Sequence, residues 1–318
     1  MGNSNKFSIW HTIFFVAVAL LILILLETRD SLSVGDELLR KPTVEEFLTV
    51  VQEDVIDCDI TLVIPSLLFD IVLFGEDLFE SFKTLTVVPR EIIFVISDME
   101  NQKVDHKKFL RLKRKFATLE GYGIQPRFLE YPDKMSQSMA KNIGAASAKA
   151  SVISIFDCDD VLHPQRFEVL SHIFTTRPSV NAVLTTFSFT NSEQLGNHYL
   201  SQDMYNMSVV DSKVYDPDDL RQKIRTQMDK GQYYFLEPNS NTVYTWCCAW
   251  FSPSLVANGW VSVRRSTWLQ YQQRNDMRVG EDIEFVTRLI TGSENLTVVD
   301  LVLGHYRWKT AQEGKVII

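Results

Sequence analysis

The chain has 318 residues, 45% of them hydrophobic and 23% charged, enough for one large globular domain. Its formal net charge of −8 argues against a polyanion-binding surface, and hence against nucleic acid as a partner. Four cysteines (Cys58, Cys158, Cys247, Cys248) are too few for a disulfide scaffold, and no metal-type Cys-x-x-Cys spacing occurs.

In chain order, a cytoplasmic tail of residues 1–6 is expected before an apolar stretch from Phe7 to Leu26, which holds 20 residues without a formal charge. A helix of that length spans roughly the 30 Å of a bilayer core. Lys6 precedes it, whereas Glu27, Arg29 and Asp30 follow. The positive flank should remain cytosolic, giving a single-pass type II membrane protein with its bulk in a lumen. A cleaved signal peptide is the rival, with Ser31-Leu32-Ser33 as its site, although charges separate that site from the apolar run. Residues 27–57 read as a polar stem, and 58–318 as the globular domain.

The first core strand is expected over Ile60–Ile64, stopped by Pro65, with a helix over Glu76–Leu85. A second strand, Glu91–Ile96, runs into Ser97-Asp98. A basic helix follows from His106, with Phe109, Leu112 and Phe116 at helical spacing, and Gly121-Tyr122-Gly123 breaks it. Arg127–Tyr131 reads as the third strand. A helix containing Met139–Ala146 precedes the apolar strand that ends at Asp157. Beyond Pro164 come a helix from Arg166 to Phe174 and a strand from Ala182 to Phe187. Residues 190–245 are polar and irregular. Such alternation implies an α/β fold with a doubly wound parallel sheet, whose ligands bind at the carboxyl ends of the strands. Asp98 and Asp157 both fall at such ends.

Phe156-Asp157-Cys158-Asp159-Asp160 is the most informative stretch, because three carboxylates at one strand end repel each other unless a cation or charged ligand compensates them. Helix capping accounts for one such Asp but not for three. Lys141-Asn142-Ile143-Gly144 upstream, the hydrophobic strand and this Asp-x-Asp turn together resemble the nucleotide-sugar site of GT-A glycosyltransferases, particularly family 2. The likeness covers roughly residues 58–310. It implies a Rossmann-like GT-A sheet flanked by helices, and a transferase for hexosyl or N-acetylhexosaminyl groups. The donor would be a UDP-sugar more readily than a GDP-sugar, and the acceptor a hydroxyl on a glycan, protein or lipid. The cofactor would be Mn²⁺ or Mg²⁺.

Under the same resemblance, Asp157 lies near the ribose and the metal, Asp159 holds the metal, and Asp160 supports it. Asp98 recognises the base or ribose, although Asp98-Met99-Glu100 replaces the usual Asp-Gly-Ser. Lys141 stands where an Arg is common and could neutralise phosphate, with Asn142 beside it as a donor-side or packing residue. Pro65 occupies the first-strand loop of the nucleotide site, where Pro65-Ser66-Leu67-Leu68 departs from the usual Tyr/Phe-Asn.

Gly280-Glu281-Asp282-Ile283-Glu284-Phe285 resembles the Glu-Asp motif of inverting members. Asp282 is then the base that takes the acceptor's proton and Glu281 the acceptor-positioning or alternate residue. Acids facing a helix dipole are the bland alternative. The aromatic stretch Trp246–Trp260 suits either sugar stacking or core packing. His305 or Lys309, in Gly304-His305-Tyr306-Arg307-Trp308-Lys309, would approach the metal or diphosphate. Two other classes stay open: a membrane-anchored glycan-binding pseudoenzyme, and a nucleotidyltransferase on a related fold. A phosphatase of the haloacid-dehalogenase type fits less well, because Val161 follows a third Asp.

Overall fold

A computed structural model describes residues 57–190, 204–219, 222, 260–277, 281–292 and 294–307. The apolar segment 7–26, most of the stem, the aromatic residues 246–259 and Lys309 lie outside the described residues. Among the described residues, no helix is long and apolar enough to cross a membrane.

Among the described residues, eight strands form one sheet: β1 Asp57–Leu67, β2 Val88–Ser97, β3 Gln125–Glu130, β4 Val152–Ile155, β5 Val161–Leu162, β6 Ala182–Thr190, β7 Val261–Arg264 and β8 Leu296–Arg307. Their order is β3-β2-β1-β4-β7-β6-β8-β5. The β3-β2-β1-β4 half is parallel throughout, as expected. The other half is mixed: β7 runs antiparallel to β4 and β6, and β5 antiparallel to β8, while β6 and β8 are parallel.

Alternation along the central strands sorts the core into two layers. Ile60, Leu62 and Ile64 of β1, with Ile92, Phe94 and Ile96 of β2, face one side. There they meet helices α1 (Leu68–Phe82), α2 (His106–Ala117) and α4 (Arg166–Thr176). Val63, Ile93 and Val95 face the other side, which α3 (Gln137–Ser147), α6 (Arg265–Tyr271) and α7 (Glu281–Thr291) cover. A short helix, α5 (Met207–Ser212), packs beside α4.

β1 does not stop at Pro65. It continues to Leu67, with Pro65 opposite Val95 in the ladder to β2. The ladder to β4 ends at Val63–Ile155, so the missing N–H of Pro65 falls on the side where pairing has ceased. α1 then begins at Leu68 rather than near Glu76, directly after the strand and without any side-chain cap. α2 carries the expected apolar seam, Phe109, Leu112 and Phe116, and Asp105 caps it by accepting from the Lys108 N–H.

Two glycines are fixed by close approach. A Cβ on Gly144 would lie 2.3 Å from Val63 Cγ1, so only glycine lets α3 settle on β1. One on Gly304 would lie 2.8 Å from the carbonyl oxygen of Val161 and 2.4 Å from the Trp260 ring. Trp260 is fully buried against Phe156 and Phe187, so it is core rather than a sugar platform.

Candidate active site

The chain builds β2 and β3 on one side of β1 and then places β4 on the other. Loops leaving β1 and β4 therefore diverge, which opens the crevice where α/β sheets receive ligands. The acidic turn and the end of β1 meet there, with Ser66 Oγ 3.0 Å from Cys158 Sγ. Phe156 N donates to Val63 O at 3.0 Å, and Asp160 N closes the turn on Asp157 O at 3.2 Å.

This turn divides its carboxylates. Cys158 and Asp160 point inward, while Asp157 and Asp159 are half-buried at the crevice. Asp160 is only 1% exposed and takes a hydrogen bond on Oδ1 from the Arg307 backbone at 3.0 Å. Beneath it lies Arg166, wholly buried, which donates to Ser154 and Thr185 and packs against Phe156 and Trp260. Desolvation pushes the Arg166 guanidinium down to about 9, and the charge of Asp160 works against that fall. Arg166 therefore stays cationic at neutral pH. The Asp160 charge favours that cation from within the core, where its Oδ1 also holds the Arg307 backbone.

Arg307 fastens the turn from outside. Its Nε donates to the Asp159 carbonyl at 2.8 Å and a terminal nitrogen to Asp77 of α1 at 2.7 Å, with the guanidinium 4.7 Å from the Phe74 ring centre. The last strand thus reaches back across the sheet to hold the acidic turn. Sequence reasoning assigned no role to Arg307 or Arg166. The one available signal was the position of Arg307 in the tail motif.

Asp98 follows β2 at the same edge with φ 64°, a left-handed conformation that Asp tolerates better than most residues. Its carboxylate accepts from Asn101 Nδ2 at 2.8 Å and its N–H donates to Asp133 O. A non-glycine residue held in this region beside a crevice marks a loop whose shape is imposed by its surroundings.

Other expected donor-side residues are placed differently. Pro65 is buried within β1 rather than in a loop. The Asn142 amide is saturated: Nδ2 donates to Gln273 O and Asn275 Oδ1, and Oδ1 accepts from Trp268 Nε1 and Gln273 N. Both donors and the oxygen of this amide are thus engaged by residues 268–275. Lys141 is 1% exposed, with Nζ 3.5 Å from Glu281 Oε1. That ion pair brings the donor-side helix to the first turn of α7, where Glu281, Asp282 and Glu284 cluster. Glu284 is engaged by Arg288, which also donates to the carbonyls of Tyr271 and Gln272. Asp282 is half-buried at the same helix start.

The donor set suits a hard divalent cation in part. Asp157 and Asp159 offer carboxylate oxygens at the crevice, but among the described residues no three His, Cys, Asp or Glu side chains converge on one point. His305 is 6% exposed within β8, opposite Val161 and Ser188, so it does not complete a cluster with the aspartates. Two carboxylates with the remaining positions left to water and phosphate match the way Mg²⁺-like ions are usually bound.

No family model matches the sequence, and no curated protein does. Solved structures with a similar course include S. aureus TarS 1-349 (TM-score 0.47, 11% identity, 78% of this chain and 60% of that one). Another is the mannosyltransferase PcManGT from Pyrobaculum calidifontis in complex with GDP-Man and Mn²⁺ (TM-score 0.47, 11% identity, 82% and 63%). A third is glucosyl-3-phosphoglycerate synthase from Mycobacterium tuberculosis in complex with Mg²⁺ and uridine-diphosphate (TM-score 0.46, 12% identity, 86% and 79%). The chain thus spans about 60% of the length of the TarS structure. Identities and scores this low do not fix a family, and the functional reading rests on the residues of the crevice.

Proposed function

We propose that this chain is an inverting glycosyltransferase that moves a sugar from a nucleotide-sugar, UDP-linked more readily than GDP-linked, to a hydroxyl on a glycan, protein or lipid. The observation that carries this reading is the placement of Asp157 and Asp159, half-buried at the switch point of the parallel half-sheet. The transferred group is read as a hexose or N-acetylhexosamine. Asp98 and Asp157 would recognise the nucleoside, and Asp159 and Asp157 would hold Mn²⁺ or Mg²⁺. Such an ion, when bound, supplies Lewis-acid neutralisation of the departing diphosphate. Asp282, at the start of α7, would take the proton of the attacking hydroxyl.

A nucleotide that binds only the folded state raises the melting temperature by mass action. Thermal shifts of the full chain with a panel of nucleoside diphosphates, each with and without Mn²⁺, test the reading. A shift selective for one diphosphate and dependent on Mn²⁺ supports it; no shift with any member of the panel contradicts it. Residues 7–26 are read as an uncleaved anchor with the catalytic domain lumenal in the Golgi or endoplasmic reticulum. Resistance to carbonate extraction supports that part, and a secreted product beginning near Val34 contradicts it.

A further inference from the structure

Lys141 and Asn142 are consecutive on α3, and both are directed into the half of the molecule that carries the Glu-Asp turn. Lys141 meets Glu281, whose side chain is 12% exposed, while Asn142 bonds with Trp268, Gln273 and Asn275. Trp268 in turn packs on Phe285 of α7, with ring centres 4.7 Å apart. One turn of α3 therefore holds both α6 and α7. An ammonium removed from water requires a charge partner, and losing that partner is severely destabilising. Were Glu281 to take up the acceptor's proton, the buried Lys141 charge would lose its compensation during the reaction.

We propose that Lys141 and Asn142 are positioning residues for the acceptor-side carboxylates. Lys141 is the counter-ion of Glu281 and not a ligand of the donor diphosphate, which assigns proton removal to Asp282 and positioning to Glu281. This inference rests on the glycosyltransferase reading above. It places control of the acceptor side in a helix that sequence resemblance gives to the donor side.

Calorimetric titration of the full chain with uridine diphosphate and guanosine diphosphate plus Mn²⁺, together with steady-state transfer kinetics, tests it on Lys141→Met, Lys141→Arg, Glu281→Gln and the Lys141→Met/Glu281→Gln double variant. Lys141→Met is expected to hold nucleoside diphosphate affinity within about 3-fold while lowering kcat by about 10-fold or more and raising acceptor KM. Lys141→Arg should recover most of kcat. The double variant should be less impaired than Glu281→Gln alone, since neither charge is then left unmatched. A loss of about 10-fold or more in diphosphate affinity on Lys141→Met, with the two substitutions simply additive, overturns the proposal. Absence of diphosphate binding by the unmodified chain overturns the glycosyltransferase reading and this inference with it. Binding by the unmodified chain that Lys141→Met abolishes overturns the inference alone.

Discussion

The backbone nitrogen of Arg307 donates to Asp160 Oδ1 at 3.0 Å across 147 residues of sequence. Through this bond and the Nε bond to Asp159 O, the last strand sets the shape of a turn built in the middle of the chain. It also gives adjacent aspartates separate roles, since Asp160 answers Arg166 in the core while Asp159 is left at the crevice.

That separation predicts opposite phenotypes. Asp160→Asn removes a buried charge that favours the Arg166 cation and should destabilise the fold by about 1–3 kcal/mol, the range for disturbing a buried polar network. Asp159→Asn should leave stability within about 0.5 kcal/mol, as for most half-exposed substitutions, and abolish Mn²⁺-dependent activity. Denaturant unfolding of both variants checks this. Equal destabilisation would mean that the two carboxylates are not divided in this way.

Glu91 gives a pH dependence that is independent of the crevice. Burial alone would raise its carboxyl, but hydrogen bonds from the Lys149 N–H, the Thr61 hydroxyl and Arg127 outweigh that and hold it below its ordinary 4.5. A carboxyl lowered on folding contributes stability above its unfolded value and loses it as pH falls through the folded value. The melting temperature should therefore fall more steeply below about pH 4.5 in the unmodified chain than in Glu91→Gln. Parallel curves would remove Glu91 from the acid response.

Asp282→Asn should leave nucleotide affinity nearly unchanged and cut turnover by about 10²–10⁴-fold, the usual worth of a general base. Single-turnover transfer against one acceptor measures this. A fully active Asp282→Asn variant would place the base elsewhere.

Much of this architecture is legible in the sequence, because buried parallel strands announce themselves as apolar runs. β2, β4 and the seam of α2 stand close to where periodicity puts them, and the acidic turn is plain from its charge density. α1 is not visible at its start: Leu67 offers no capping side chain, and Leu68–Gly75 is apolar enough to read as a continuation of the strand. Pro65 misleads because its cost depends on whether a neighbouring strand is still paired at that level, which is tertiary information. Site roles fail for a related reason. Nothing local shows that Asn142 will spend all its hydrogen bonds on residues 268–275, or that Lys141 will be paired with a glutamate 140 positions away. His305 lies in a motif-like tail, yet the strand pairing that holds it opposite Val161 and Ser188 keeps it from completing a cluster with the aspartates.

Binding of a nucleotide-sugar through a divalent ion at the Asp157–Asp159 edge is the step on which the proposed chemistry depends. Its most direct test is release of nucleoside diphosphate from a panel of UDP- and GDP-sugars by the full chain, with Mn²⁺ or with chelator, beside Asp159→Asn. The expected result is Mn²⁺-dependent release from one donor class, abolished both by chelation and by Asp159→Asn while the variant remains folded. Release that persists undiminished in Asp159→Asn, or that occurs equally in chelator, would contradict it.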